Sequence, residues 1–136
     1  MADIPKVMLV DDSETNRELI KEVLNGAVEF IEAEDGLQAW KAYNRVVKEG
    51  KTDFDLILLD IAMPNMDGIK LLRLIRELEI FERIPIEERL PVLIVTAHAN
   101  RVEEAMQAGA NGHLLKPIDV EALKKQVQSL VTKVTD

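Results

Sequence analysis

Apolar residues in this chain come in short unbroken runs that stop at a polar residue, and stretches of helical periodicity separate the runs. Leu56-Ile57-Leu58-Leu59 stops at Asp60, Val7-Met8-Leu9-Val10 stops at Asp11-Asp12, and Pro91-Val92-Leu93-Ile94-Val95 stops at Thr96. Runs of this length, bounded by turn signals, read as strands buried on both faces of a parallel sheet. Residues 28–33 mix polar and apolar positions, as an edge strand does. Gly112-His113-Leu114-Leu115 is a short last strand ending at Lys116-Pro117.

The intervening stretches read as helices. Ser13 is placed to cap the first, with Leu19, Ile20, Val23 and Leu24 as its apolar stripe and Asn25-Gly26 as its end. After the Asp35-Gly36 turn, residues 37–48 form a helix that buries Ala39, Trp40, Tyr43 and Val47. Pro64 and Asp67-Gly68 make a loop after Asp60. Residues 69–78 are then helical, with Leu71, Leu72, Ile75 and Leu78 inward. Residues 79–90 form a charged connection containing Pro85, longer than most loops and with room for a further helical turn. Residues 101–108 are a short helix closed by Gly109, and residues 120–134 a last one presenting Leu123, Val127, Leu130, Val131 and Val134.

Five alternations of strand and helix define an α/β fold: a doubly wound, five-stranded parallel sheet with helices on both faces. The most apolar strands belong in the centre, which gives the order 2-1-3-4-5, a flavodoxin-like arrangement. The expected organisation is one domain over residues 1–136, structured from about 5 to 134.

Composition narrows the function. The 136 residues carry a net charge of −8, which argues against non-specific binding to nucleic acid or to an anionic membrane. There is no cysteine, so neither disulfides nor thiol chemistry enter. The N-terminus lacks the basic and apolar regions of a signal peptide, and no apolar run reaches the length of a membrane span. A soluble cytoplasmic protein is expected.

The strand ends carry the chemistry. In a parallel sheet with strands ~4.8 Å apart, the carboxyl ends lie side by side, and ligands bind at that edge. Asp11, Asp12 and Asp60 would crowd one pocket there, beside Thr96 and Lys116. Two like charges ~4 Å apart repel by about 4 kcal/mol at an effective dielectric of ~20. Lys116 offsets part of this, and a hard divalent cation such as Mg²⁺, which prefers oxygen ligands, would offset more. The same parts suit phosphoryl transfer, with Asp60 as nucleophile, Mg²⁺ and Lys116 neutralising the phosphoryl oxygens, and Thr96 donating a hydrogen bond. Ala62 stands two residues after Asp60, where an acid would assist hydrolysis, so a stored phosphoryl group is expected.

Four motifs then occur in order: Val-Asp-Asp-Ser at 10–13, Leu-Leu-Asp-Ile-Ala-Met-Pro-Asn-Met-Asp-Gly at 58–68, Val-Thr-Ala at 95–97, and Gly-Ala-Asn-Gly-His-Leu-Leu-Lys-Pro at 109–117. With these the chain resembles, over nearly its whole length, the response-regulator receiver domains of two-component signalling, particularly the single-domain, chemotaxis-regulator-like members. The resemblance implies Asp60 as phosphoacceptor, and Asp11, Asp12, Asp60 and the Ala62 carbonyl as Mg²⁺ ligands. It implies Thr96 as the phosphate-sensing hydroxyl, Lys116 as the phosphate partner, and a cis Lys116-Pro117 bond. Its partners would be a histidine kinase or histidine phosphotransfer protein, and a downstream protein met by the fourth helix, fifth strand and fifth helix. His113 stands where most members carry the Tyr or Phe of the switch, and His98 occupies a variable position that tunes phosphoryl lifetime.

Taken singly, each acid is more often a cap or turn residue, and Asp67 reads as a turn residue rather than a ligand. Trp40 and Tyr43 read as core, Met63 and Met66 as loop packing, and His98 as an exposed loop residue. The rival readings are a receiver segment of a hybrid kinase or larger regulator, an aspartyl-phosphate phosphohydrolase, and a phosphorylation-independent interaction module. Ala62 argues against the second, and the intact set of acids against the third.

Overall fold

The computed structural model describes residues 4–50 and 54–131. Five strands, β1 (Lys6–Val10), β2 (Glu29–Ala33), β3 (Leu56–Leu59), β4 (Val92–Thr96) and β5 (Gly112–Leu115), form one sheet in the order β2-β1-β3-β4-β5. Every neighbouring pair is parallel. Parallel strands need crossover connections, which the helices α1 (Glu14–Val23), α2 (Gly36–Lys48), α3 (Gly68–Phe81) and α4 (Val102–Gln107) supply. α5 (Val120–Val131) follows the last strand.

Side chains alternate across each strand, so the sheet builds two cores. Met8, Val10, Ile57, Leu59, Val92 and Ile94 face α2, α3 and α4, meeting Ala39, Tyr43, Val46, Leu72, Ile75 and Ala105. Val7, Leu9, Leu56, Leu58, Leu93 and Val95 face α1 and α5, meeting Ile20, Leu24, Leu123 and Val127. All four residues of β3 are at most 1% exposed. Each such side chain contributes about 1.5–3 kcal/mol by leaving water, which makes β3 the centre of the fold energetically as well as topologically.

Several helix faces differ from those expected. Leu19 is 45% exposed, whereas Arg17, Ile20 and Leu24 form the inward row of α1 and its C-cap. One residue along a helix turns the side chain by roughly 100°, so Leu19 cannot share the face of Ile20. On α2 the buried row is Ala39, Tyr43 and Val46, while Trp40 and Val47 lie half-buried at its margin. Val134 falls outside the described residues.

The connection after α3 is partly helical. α3 runs on to Phe81 with Glu79 buried within it, and a 3-10 turn occupies Ile86–Glu88. Arg83, at φ 58, ends α3 in the left-handed conformation, with its N–H on the Ile80 carbonyl and that of Ile84 on the Glu79 carbonyl. Before α4, Arg101, expected as its first residue, instead closes a 3-10 turn at Ala99–Arg101. Among the described residues no helix is long and apolar enough to cross a membrane.

Candidate functional site at the carboxyl edge of the sheet

Each central strand delivers one polar residue to the same edge. Asp60 directly follows β3, and its N–H extends the sheet by bonding to the Val10 carbonyl at 3.0 Å. Asp11 directly follows β1, with its N–H on the Ala33 carbonyl at 3.2 Å. Asp11 is 2% and Asp60 8% exposed, whereas Asp12 is open to solvent. Carboxylate oxygens of Asp11, Asp12 and Asp60 all lie within 4.8 Å of one another.

Lys116 reaches into this cluster from the end of β5. Its Nζ donates to Asp11 Oδ2 at 2.9 Å and to Asp60 Oδ2 at 3.3 Å. Burial pulls the Lys116 ammonium toward losing its proton, but the hydrogen bond to Asp11 and the charges of Asp60 and Asp11 outweigh it, and the net shift is upward. The ammonium is therefore a fixed cation at neutral pH. The Lys116-Pro117 bond is cis.

The remaining carboxylate oxygens of the two buried acids are also held. Asp11 Oδ1 accepts from the Ser13 N–H at 2.8 Å, and Asp60 Oδ1 from the Ile61 N–H at 2.7 Å. The donor set is wholly hard oxygen, one face of it is solvent-open at Asp12, and its charge exceeds what Lys116 neutralises. This fits a small divalent cation such as Mg²⁺ and excludes soft-metal ligation by this cluster.

Thr96 ends β4 fully buried. Its Oγ1 accepts from the His98 N–H at 3.1 Å and so keeps its own proton to give. His98 itself is exposed. Ala62 is exposed in the β3–α3 loop. His113 is exposed on β5, opposite Ile94 in register and so on the α4 face of the sheet. The six residues of α4 leave that margin open.

The loop carrying Ala62 is clamped at both ends. Gly68 packs so closely that a methyl there would collide with the Asp60 carbonyl oxygen and lie 2.9 Å from Ile61 Cα. Its N–H closes on the Ile61 carbonyl at 2.8 Å. Asn65, at φ 66, donates through Nδ2 to Asp35 Oδ2 at 2.6 Å. The Gln38 N–H and then Asn65 hold the Asp35 carboxyl below its ordinary range. Asp67 caps α3 through the Ile69 N–H at 2.8 Å and pairs with Arg101 at 2.6 Å, joining this loop to the one after β4.

The sequence reading missed the Arg101 pair, the Asn65–Asp35 bond and Arg17. Arg17 could have been found, because it lies three residues before Ile20 and seven before Leu24, on the apolar face of α1. A charged residue in an apolar row signals a buried partner. The partners of Asn65 and Arg101 lie 30 and 34 residues away and left no local signal.

The model of the response regulator receiver domain family matches residues 7–128. The chemotaxis protein CheY of Pseudomonas aeruginosa is 38% identical over 133 residues, covering 95% of this chain and 98% of its own. The signal transduction histidine-protein kinase BarA of Escherichia coli is 39% identical over 119 residues, which are 86% of this chain but 12% of the kinase. Among solved structures, the receiver domain of the sensor histidine kinase PA1611 from Pseudomonas aeruginosa superimposes with a TM-score of 0.78 at 28% identity, covering 95% of this chain and 98% of its own. That crystal holds a magnesium ion coordinated in the active site cleft. With this fold, this strand-edge cluster and these relatives, the chain belongs to the response regulator receiver domain family.

Proposed function

We infer that this chain is a phosphoacceptor switch in which Asp60 takes a phosphoryl group from a phosphohistidine on a histidine kinase or phosphotransfer protein. The observation that carries this reading is the Lys116 ammonium held 3.3 Å from Asp60 Oδ2 within a cluster of three carboxylates. An Asp60 oxygen forms the new bond to phosphorus as the phosphorus–nitrogen bond breaks, and that bond's electron pair leaves with the imidazole. Asp11, Asp12, Asp60 and the Ala62 backbone carbonyl would hold Mg²⁺, which when bound supplies positive charge beside the phosphoryl oxygens. The magnesium in the PA1611 cleft supports this assignment.

The chain's own groups do the rest. Lys116 neutralises an oxygen of the incoming group. Thr96 donates a hydrogen bond from its hydroxyl to another, and a move of Thr96 toward it shifts the β4–α4 loop held through the His98 N–H. No side chain at Ala62 offers a base to a water, so the acyl phosphate is stored. Output passes through the α4–β5–α5 face, where Met106, His113, Leu115 and Val120 are exposed and can meet a downstream protein. His113 takes the switch position there. The identity to a segment of BarA supports a second setting for the same chemistry, as the receiver part of a longer kinase.

Treatment with acetyl phosphate and Mg²⁺, followed by intact-mass analysis, tests the reading. The wild type should gain one phosphoryl group, and Asp60→Asn none while remaining folded. Equal labelling of Asp60→Asn would overturn Asp60 as acceptor. Continuous release of phosphate from small phosphoesters would overturn storage in favour of a phosphohydrolase.

A further inference from the structure

Arg17 is 8% exposed, yet no step above uses it. It stands one turn into α1, and its guanidinium spans two anchors. NH1 donates to the backbone carbonyl of Asp11 at 2.7 Å, and Nε to Glu32 Oε1 at 2.8 Å. Glu32, on β2, also receives Lys21 Nζ at 2.8 Å. The Lys21 hydrogen bond, with that of Arg17 added, holds the Glu32 carboxyl below its ordinary range despite partial burial. Glu32 is therefore a fixed anion through which the Arg17 fork is braced.

The carbonyl that Arg17 grips belongs to the peptide joining Asp11 to Asp12. A peptide is planar, so fixing its oxygen limits rotation on both sides and sets how the two carboxylates stand relative to each other. The other polar atoms of Asp11 are spent on Ala33, Ser13 and Lys116. These bonds fix Asp11 alone, whereas the one from Arg17 acts on the link to Asp12. Asp12 is exposed, so no packing places its side chain, and the peptide plane sets the direction in which its Cα–Cβ bond leaves the backbone.

Building on the phosphoacceptor reading, we propose that Arg17 is a positioning residue for the divalent-cation site, presetting the Asp11–Asp12 pair through the peptide between them. Charge and position predict opposite results. A cation near the acids repels Mg²⁺, so its loss should tighten binding if only the field mattered. If Arg17 works by position, its loss should weaken binding even though a repulsive charge has gone. Groups that orient metal ligands typically change affinity by about 10-fold or more when removed.

Calorimetric titration of the apo protein with Mg²⁺ decides between them, using wild type, Arg17→Gln and Arg17→Lys. Arg17→Lys keeps the charge but offers a single nitrogen in place of the fork, and it guards against a fold too weakened in Arg17→Gln. The expected result is a Kd raised about 10-fold in Arg17→Gln, and raised in the same direction in Arg17→Lys. Labelling by acetyl phosphate should then need more Mg²⁺ for half-maximal rate while reaching the wild-type rate at saturating Mg²⁺. A merely structural role would not produce that split. An unchanged or tighter Kd in Arg17→Lys, or in a folded Arg17→Gln, overturns the proposal while leaving the phosphoacceptor reading intact. Wild type that takes up no Mg²⁺ overturns both.

Discussion

Lys116 Nζ lies 3.3 Å from Oδ2 of Asp60, and the same ammonium is 2.9 Å from Oδ2 of Asp11. One monovalent cation thus serves two carboxylates whose side chains are 10% and 3% exposed, with Asp12 nearby. Removing it should leave two buried anions facing each other. Breaking a buried pair by deleting one partner costs about 3 kcal/mol. Lys116→Ala should be destabilised by about that amount without metal, and millimolar Mg²⁺ should raise its melting temperature more than it raises that of wild type, because the divalent ion replaces the missing charge. The Lys116 pKa is raised in the fold, so its contribution is complete below the ordinary lysine value of ~10.4 and is lost only as pH rises through the folded value. The gap between the two proteins should therefore stay level from about pH 6 to 9, measured by thermal melts.

Asp67 and Arg101 give a contribution that disappears in acid instead. Burial raises the Asp67 pKa, but the Arg101 hydrogen bond and the Ile69 N–H lower it further, and the net shift is downward. A carboxyl depressed in the fold stabilises above its unfolded value of ~3.9, and that stability is lost as pH falls through the folded value. Asp67→Asn keeps the cap on α3 and removes only the charge. Both side chains are about one-third exposed, so the expected cost is below about 1 kcal/mol at pH 7. It should be smaller at pH 3, below the unfolded value of ~3.9, because the stabilisation begins to be lost there. Urea midpoints at the two pH values check this, and an equal gap at both would show that the substitution acts through something other than the ion pair.

The parts of the site that were legible in the sequence are those fixed by strand position. Asp11, Asp60, Thr96 and Lys116 each follow an apolar run, and a parallel sheet brings the ends of such runs together whatever the details of packing. Gly112–Leu115 was bounded correctly for the same reason. What could not be read depends on which distant atoms meet. Lys116 and Asp11 are 105 residues apart, so their placement at one edge could be inferred but not the hydrogen bond between them. Glu79 sits in a charged stretch that looks like a solvated connection, and its burial depends on Tyr43, 36 residues earlier. Leu19 and Ile20 are equally apolar, and local pattern alone did not choose between them.

Gly68 connects β3 to α3 at a distance no other residue permits. A methyl there meets backbone atoms of Asp60 and Ile61, which cannot rotate away as a side-chain tip could. Gly26 offers the contrast: its φ is 86, but nothing lies within 4 Å of where a Cβ would be. Gly26→Ala should cost about 1–2 kcal/mol, the ordinary penalty of the left-handed conformation. Gly68→Ala should cost about 3 kcal/mol or more, because the loop must shift. It should also slow labelling of Asp60 by acetyl phosphate, since the shifted carbonyl belongs to Asp60 itself, whereas Gly26→Ala should leave labelling unchanged. Equal stability losses in the two variants would mean that the loop absorbs the methyl freely.

Tyr43, Glu79 and Arg76 tie α2 and α3 to the strand entries on the far side of the molecule from Asp60. Glu79 is fully buried. Its Oε2 accepts from the Tyr43 hydroxyl at 2.9 Å and the Leu90 N–H at 2.8 Å, and its Oε1 accepts from Arg76 at 2.7 Å. Arg76 also donates to the Gly109 carbonyl and to Asn111 Oδ1, which in turn receives the Val92 N–H at 2.8 Å. Burial, and then the Glu79 charge, push the Tyr43 hydroxyl far above its usual range, so it remains a donor at every pH of interest. Tyr43→Phe removes one donor from a buried anion and should cost about 1–3 kcal/mol. Glu79→Ala leaves the Tyr43 hydroxyl, the Leu90 N–H and one face of Arg76 without their acceptor, and should cost about 3–5 kcal/mol. Because the two residues share one bond, the double variant should be less destabilised than the sum by about 0.5–3 kcal/mol. Urea unfolding of the four proteins gives this coupling directly, and acetyl phosphate labelling should be unaffected while each remains folded. Additive losses would show that the Tyr43 hydroxyl contributes through packing alone, and that Glu79 is held by Arg76 and the Leu90 N–H without it.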